Sequence, residues 1–117
     1  MSYTTQMDAA RQGIITPEMK AVAASEHIAE DELRELIALG QVIIPANKNH
    51  KCLKPNGIGS RLRTKINVNL GTSRDWTDLD MEMEKVKSAV DMGAEAIMDL
   101  SSCGDTQKFR RKLTSEC

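Results

Sequence analysis

The chain has 117 residues, 40% hydrophobic and 28% charged, with a net charge of −1. That length suits one domain and not comfortably two, and that composition excludes a disordered chain. The near-neutral charge and the scarcity of aromatics (Tyr3, Trp76 and Phe109 only) argue against a nucleic-acid partner, and no apolar run approaches the ~20 residues of a membrane span.

The opening stretch, MSYTTQMDAARQG, lacks the basic-then-apolar order of a secretory signal, so a cytoplasmic protein is expected. Thr4 or Thr5 is placed to cap a short helix through Gln12, closed by Gly13. Thr16, Pro17 and Glu18 then combine an N-cap, a first-turn proline and an acidic group at the positive helix end. The helix they begin carries Met19, Val22 and Ala23 on one side. AEDELRELIALG predicts a third helix, with Leu33, Leu36 and Ile37 on one face and Gly40 just beyond its end. QVIIP reads as a short strand stopped by Pro45. ANKNHKCLKPNGIGSRLRT is rich in turn residues, with Gly57 and Gly59 expected to loosen the chain.

From Lys65 the pattern changes. KINVNLG predicts a buried strand, with Ile66, Val68 and Leu70 on one face and Asn67 and Asn69 on the other. Leu79, Met83, Val86, Ala89 and Val90 recur at helical spacing. The acidic run at that helix's start (Asp78, Asp80, Glu82, Glu84) reads as a solvated surface. AEAIMDLSS predicts a second strand, Cys103-Gly104-Asp105 a turn, and TQKFRRKL a last helix. Strand, helix, strand, helix is the signature of a parallel sheet, so the chain is expected to be α/β. A two-stranded parallel unit leaves edges and faces that need cover, which predicts the front piece of a larger α/β protein.

Ligands of parallel α/β folds sit at the carboxyl ends of the strands. Asn69, Met98, Asp99 and Ser101 fall near those ends. Asparagine is depleted from strands, and a buried carboxamide must bond to something, so Asn67 and Asn69 are candidate ligand groups or partners of loop backbone. Met98 reads as packing or as a ligand contact. Asp99 is suited to cap a helix or orient a neighbour, and Ser101 and Ser102 before Gly104 form a weak phosphate motif. Asn47, Asn49 and His50 after the first strand read as a polar turn, or as a loop reaching a site with His50 as an acid–base group. Cys52, Cys103 and Cys117 are odd in number and widely spaced, and His27 and His50 lack ligand spacing, so no metal site is expected within the chain.

Four ordered stretches, TQMDAARQGIITPEM, IIPANKNH, KINVNLGTS and DMGAEAIMDLSS, resemble the N-terminal part of the phosphomethylpyrimidine synthase family almost end to end. The resemblance implies an N-terminal α+β segment over residues 1–60 and the first βαβα units of a (β/α)8 barrel over residues 61–117. It implies the conversion of aminoimidazole ribotide to 4-amino-5-hydroxymethyl-2-methylpyrimidine phosphate in thiamine biosynthesis. In the family, S-adenosylmethionine is cleaved at a 4Fe–4S cluster to start a radical rearrangement, zinc is also bound, and a homodimer is expected. The family's substrate-binding asparagine and methionine fall on Asn69 and Met98. Its CxxCxxxxC cluster motif and zinc-type histidines have no match here, so no residue of this chain is assigned to either group. The chain by itself is expected to be inactive. The related 5-hydroxybenzimidazole synthase shares the same stretches and is not separated from this reading, and a truncated, non-catalytic chain is the alternative from another class.

Overall fold

A computed structural model describes residues 2–75 and 77–116. Trp76 and Cys117, both named above, lie outside them. The chain divides into two compact units, Met1–Asn47 with Lys54–Thr64, and Lys48–Leu53 with Lys65–Cys117.

The first unit holds three helices, α1 (Gln6–Arg11), α2 (Pro17–Glu26) and α3 (Glu30–Ala38), and two short strands, β1 (Val42–Ile43) and β2 (Ile58–Gly59). Thr5 caps α1 by accepting from the Asp8 N–H at 3.0 Å, and Thr16 caps α2 by accepting from the Met19 N–H at 3.2 Å. The α3 N-cap, Ala29, offers no side-chain acceptor; Glu30, Asp31 and Glu32 fill its first turn instead and meet the positive helix end. Met19, Val22, Leu33, Ile37 and Val42 are sealed in one core.

Two expectations for this unit are corrected. The QVIIP strand shortens to two residues, because β2 offers it only two partners, Gly59 opposite Val42 and Ile58 opposite Ile43, antiparallel. Gly57 and Gly59 do not loosen the chain; they permit tight contact. A Cβ on Gly59 would lie 2.1 Å from the Gln41 carbonyl, and one on Gly57 would lie 2.6 Å from the Leu62 side chain.

The second unit is the βαβα element: β3 (Asn67–Leu70), α4 (Leu79–Asp91), β4 (Ala96–Asp99) and α5 (Thr106–Glu116). β3 and β4 pair in parallel, with α4 as the crossover. Asp78 caps α4 through the Met81 N–H at 3.0 Å. Leu70, Met83, Val86 and Phe109 form the core, so one sheet face lies under the helices.

Three expectations are corrected here. Asn67 and Asn69 are exposed rather than buried, because the core lies on the opposite face of the strand. Val90 is 45% exposed, since it sits on the flank of the α4 stripe and only two strands lie beneath the helix. The acidic run is not uniformly solvated: Glu82 is 0% exposed. It stands one turn before Val86 on the buried stripe, and its charge is met by the Gly71 N–H and by Lys85.

Candidate functional site at the strand ends

Strand alternation puts Asn67 and Asn69 on the β3 face away from the helices. The β3–β4 register sets Asn69 directly beside Met98 and Asn67 beside Ala96. Directly paired residues of neighbouring strands lie on one face, so two carboxamides and a thioether make a continuous patch. Met98 is 47% exposed. The Asn67 amide donates to Asn69 Oδ1 at 3.3 Å.

Beyond the last paired residues the two chains stay together. The Leu100 N–H donates to the Leu70 carbonyl at 2.7 Å, and the Ser102 N–H to the Thr72 carbonyl at 2.9 Å. Gly71 makes this approach possible: a Cβ there would lie 2.6 Å from the Ser101 nitrogen and 2.7 Å from the Leu100 carbonyl carbon. A depression of about 350 Å³ opens at these ends, lined by Asn69, Gly71, Thr72, Ser73, Lys85 and Ser102 among others.

The carboxylate of Asp99 lies on the helix side. It accepts from the Ser101 N–H at 2.9 Å, from the Ser101 hydroxyl, and from Arg110 Nε at 2.7 Å. Burial pushes its pKa up, but the Ser101 and Arg110 hydrogen bonds and the Arg110 charge outweigh that and hold it below the ordinary carboxylate value. Asp99 therefore orients the β4 end and anchors α5. The Ser101 hydroxyl also accepts from the Thr72 N–H at 3.0 Å, and the Ser102 hydroxyl donates to the Thr72 carbonyl at 3.3 Å. Both hydroxyls of the weak phosphate motif are thus engaged within the chain.

Asn47, Asn49 and His50 follow Pro45 as a turn-rich connection, the asparagines exposed and His50 half-buried. None of the three is among the residues lining the depression. Thr72 and Glu82 are features of the site that sequence reasoning missed. Thr72 is buried and donates its hydroxyl to the Cys103 carbonyl, closing the loop after β3 onto the loop after β4. Nothing in a lone threonine after glycine signals that. Glu82 had a signal, because it falls on the same helical stripe as Val86 and Ala89.

Among the described residues, no three His, Cys, Asp or Glu side chains come together as a metal site. No helix among them is long and apolar enough to cross a membrane.

The sequence profile of the radical SAM ThiC family matches residues 5–117. The chain belongs to the radical SAM ThiC family. A phosphomethylpyrimidine synthase of Clostridioides difficile strain 630 is 65% identical over 113 residues, 97% of this chain and 26% of that protein. One from Alkaliphilus oremlandii is 64% identical over 98% of this chain and 26% of its own length. One from Clostridium kluyveri is 58% identical over 100% of this chain and 27% of its own. The chain thus spans about a quarter of the length of these relatives. The family expected from the four sequence stretches is the family found.

Proposed function

We propose that this chain is the N-terminal quarter of a phosphomethylpyrimidine synthase and supplies one wall of its substrate pocket. The observation that carries the reading is the register of β3 and β4, which sets Asn69 beside Met98 on the sheet face opposite the helix-packed core. The substrate is aminoimidazole ribotide and the product the thiamine pyrimidine phosphate. A carboxamide both donates and accepts, so Asn69 can pair with the exocyclic amine or ring nitrogen of an aminoimidazole or with ribose hydroxyls. The Met98 thioether is soft enough to pack on the flat ring. Asn67 holds the Asn69 amide in one orientation, and Asp99 and Ser101 brace the strand ends from the helix side.

Residues 61–117 begin the (β/α)8 barrel in this reading, and residues 1–60 form the α+β segment that precedes it. S-adenosylmethionine, a 4Fe–4S cluster and zinc belong to the full-length family. The residues present do not fit either metal group, since Cys52 and Cys103 stand in no cluster of ligating side chains among the described residues. The reading places both groups, together with the homodimer contacts, on the rest of a cytoplasmic enzyme.

The test is product analysis. The full-length protein carrying this segment, given aminoimidazole ribotide, S-adenosylmethionine and a reductant, is expected to form the pyrimidine phosphate. The 117-residue chain alone is expected to form none. 5-Hydroxybenzimidazole as the product would move the chain to the cobamide branch of the family, and no conversion by the full-length protein would refute an enzymatic role.

A further inference from the structure

Glu82 is a fully buried carboxylate on α4 with two partners, the Gly71 N–H at 2.9 Å and Lys85 Nζ at 2.7 Å. Buried glutamate on an amphipathic stripe is costly unless its charge is met, so an apolar residue at this position would suit the core better. The position of the bond explains its presence. The peptide unit between Leu70 and Gly71 is trans, so its C=O and N–H point to opposite sides. The Leu70 carbonyl points to β4 and accepts from the Leu100 N–H. The Gly71 N–H points the other way and ends on Glu82.

That one peptide is therefore clamped on both sides, two residues beyond the Asn69 side chain. In the two-stranded sheet the Gly71 N–H would otherwise be an edge donor open to water. Lys85 lies half in solvent, ties to the other carboxylate oxygen and lines the depression that Asn69 also lines.

We infer that Glu82 is a positioning residue for the substrate site: its carboxylate, tethered by Lys85, fixes the Leu70–Gly71 peptide and thereby the direction of the Asn69 side chain. This inference rests on the proposal that Asn69 contacts the ribotide.

The experiment is a double-mutant cycle on aminoimidazole ribotide affinity in the full-length protein, with S-adenosylmethionine affinity as the control for folding. Asn69→Ala is expected to weaken the ribotide about tenfold, the loss of a buried ligand hydrogen bond. Glu82→Ala is expected to weaken it by a similar factor and to cost less than about twofold in the Asn69→Ala background, since coupled residues are non-additive. Glu82→Gln keeps an oxygen for the Gly71 N–H and should restore affinity to within about threefold. Glu82→Met, which fills the buried site with an apolar side chain and leaves the half-exposed Lys85 to solvent, is the variant to use should Glu82→Ala not fold. It removes the acceptor for the Gly71 N–H, so it is expected to weaken the ribotide about tenfold with Asn69 present and less than about twofold without it. Equal fold-losses in both backgrounds, or a Glu82→Gln variant as weak as Glu82→Ala, overturn the inference. An unchanged ribotide affinity in Asn69→Ala overturns the substrate-site reading itself and takes the inference with it.

Discussion

Gly71→Ala tests how the strand ends are held. The new methyl would lie 2.6 Å from the Ser101 nitrogen and 2.7 Å from the Leu100 carbonyl carbon, both backbone atoms that cannot swing aside. Ordinary carbon contacts are about 3.5–4.0 Å, so the two chain ends must part by roughly 1 Å. That displacement breaks the Leu100-to-Leu70 bond of 2.7 Å and the Ser102-to-Thr72 bond of 2.9 Å. At about 1 kcal/mol for each lost hydrogen bond, the local cost is about 2 kcal/mol, roughly a thirtyfold loss of amide protection. Hydrogen exchange at the Leu100 and Ser102 amides reads this directly. Gly93→Ala is the control, because Gly93 also has positive φ (91°) but a Cβ there meets nothing within 4 Å. It should lower stability near the α4 end and leave those two amides protected. Unchanged exchange in Gly71→Ala, or equal exchange in both variants, would refute the close-approach account.

Three further outcomes follow from particular contacts. The folded-state pKa of Asp99 is depressed, so its contribution to stability is complete above the ordinary carboxylate value of about 3.9 and is lost as pH falls through the folded value. Asp99→Asn should accordingly flatten the acid limb of the unfolding curve, and a limb as steep as wild type would contradict the assignment. Leu33→Ala empties a fully buried site among Met19, Val22 and Ile37 and should cost about 2–5 kcal/mol in denaturant unfolding. Thr16→Ala removes the α2 cap and the 2.6 Å bond from the Thr16 hydroxyl to Gln6, for about 1–2 kcal/mol in the same assay; a change under 0.3 kcal/mol would show the cap to be dispensable.

Much of the local structure was legible because it is local. Thr16-Pro17 starts a helix through chemistry contained in four residues, and Leu33, Leu36 and Ile37 announce their face by spacing alone. The parallel strand pair followed from the alternation of KINVNLG and AEAIMDLSS around a helical stripe. What the sequence hid depends on partners distant in the chain. The Asn69–Met98 register is set by the length of the crossover and the fit of α4, neither of which a strand pattern contains. Gly59 looks like a turn residue until Gln41 stands against it. Glu82 resembles its acidic neighbours Asp80 and Glu84, and only the Gly71 N–H and Lys85 distinguish it. The direction of the asparagine face was hidden for the same reason: alternation separates two faces but does not say which one the helices cover.

The most direct test of the central claim is calorimetric binding of aminoimidazole ribotide to the full-length protein and to its Asn69→Ala and Met98→Ala variants, with S-adenosylmethionine binding measured alongside. The account predicts weaker ribotide binding in both variants and unaltered S-adenosylmethionine binding. Ribotide affinity equal to wild type in both would show that the asparagine–methionine face does not meet the substrate.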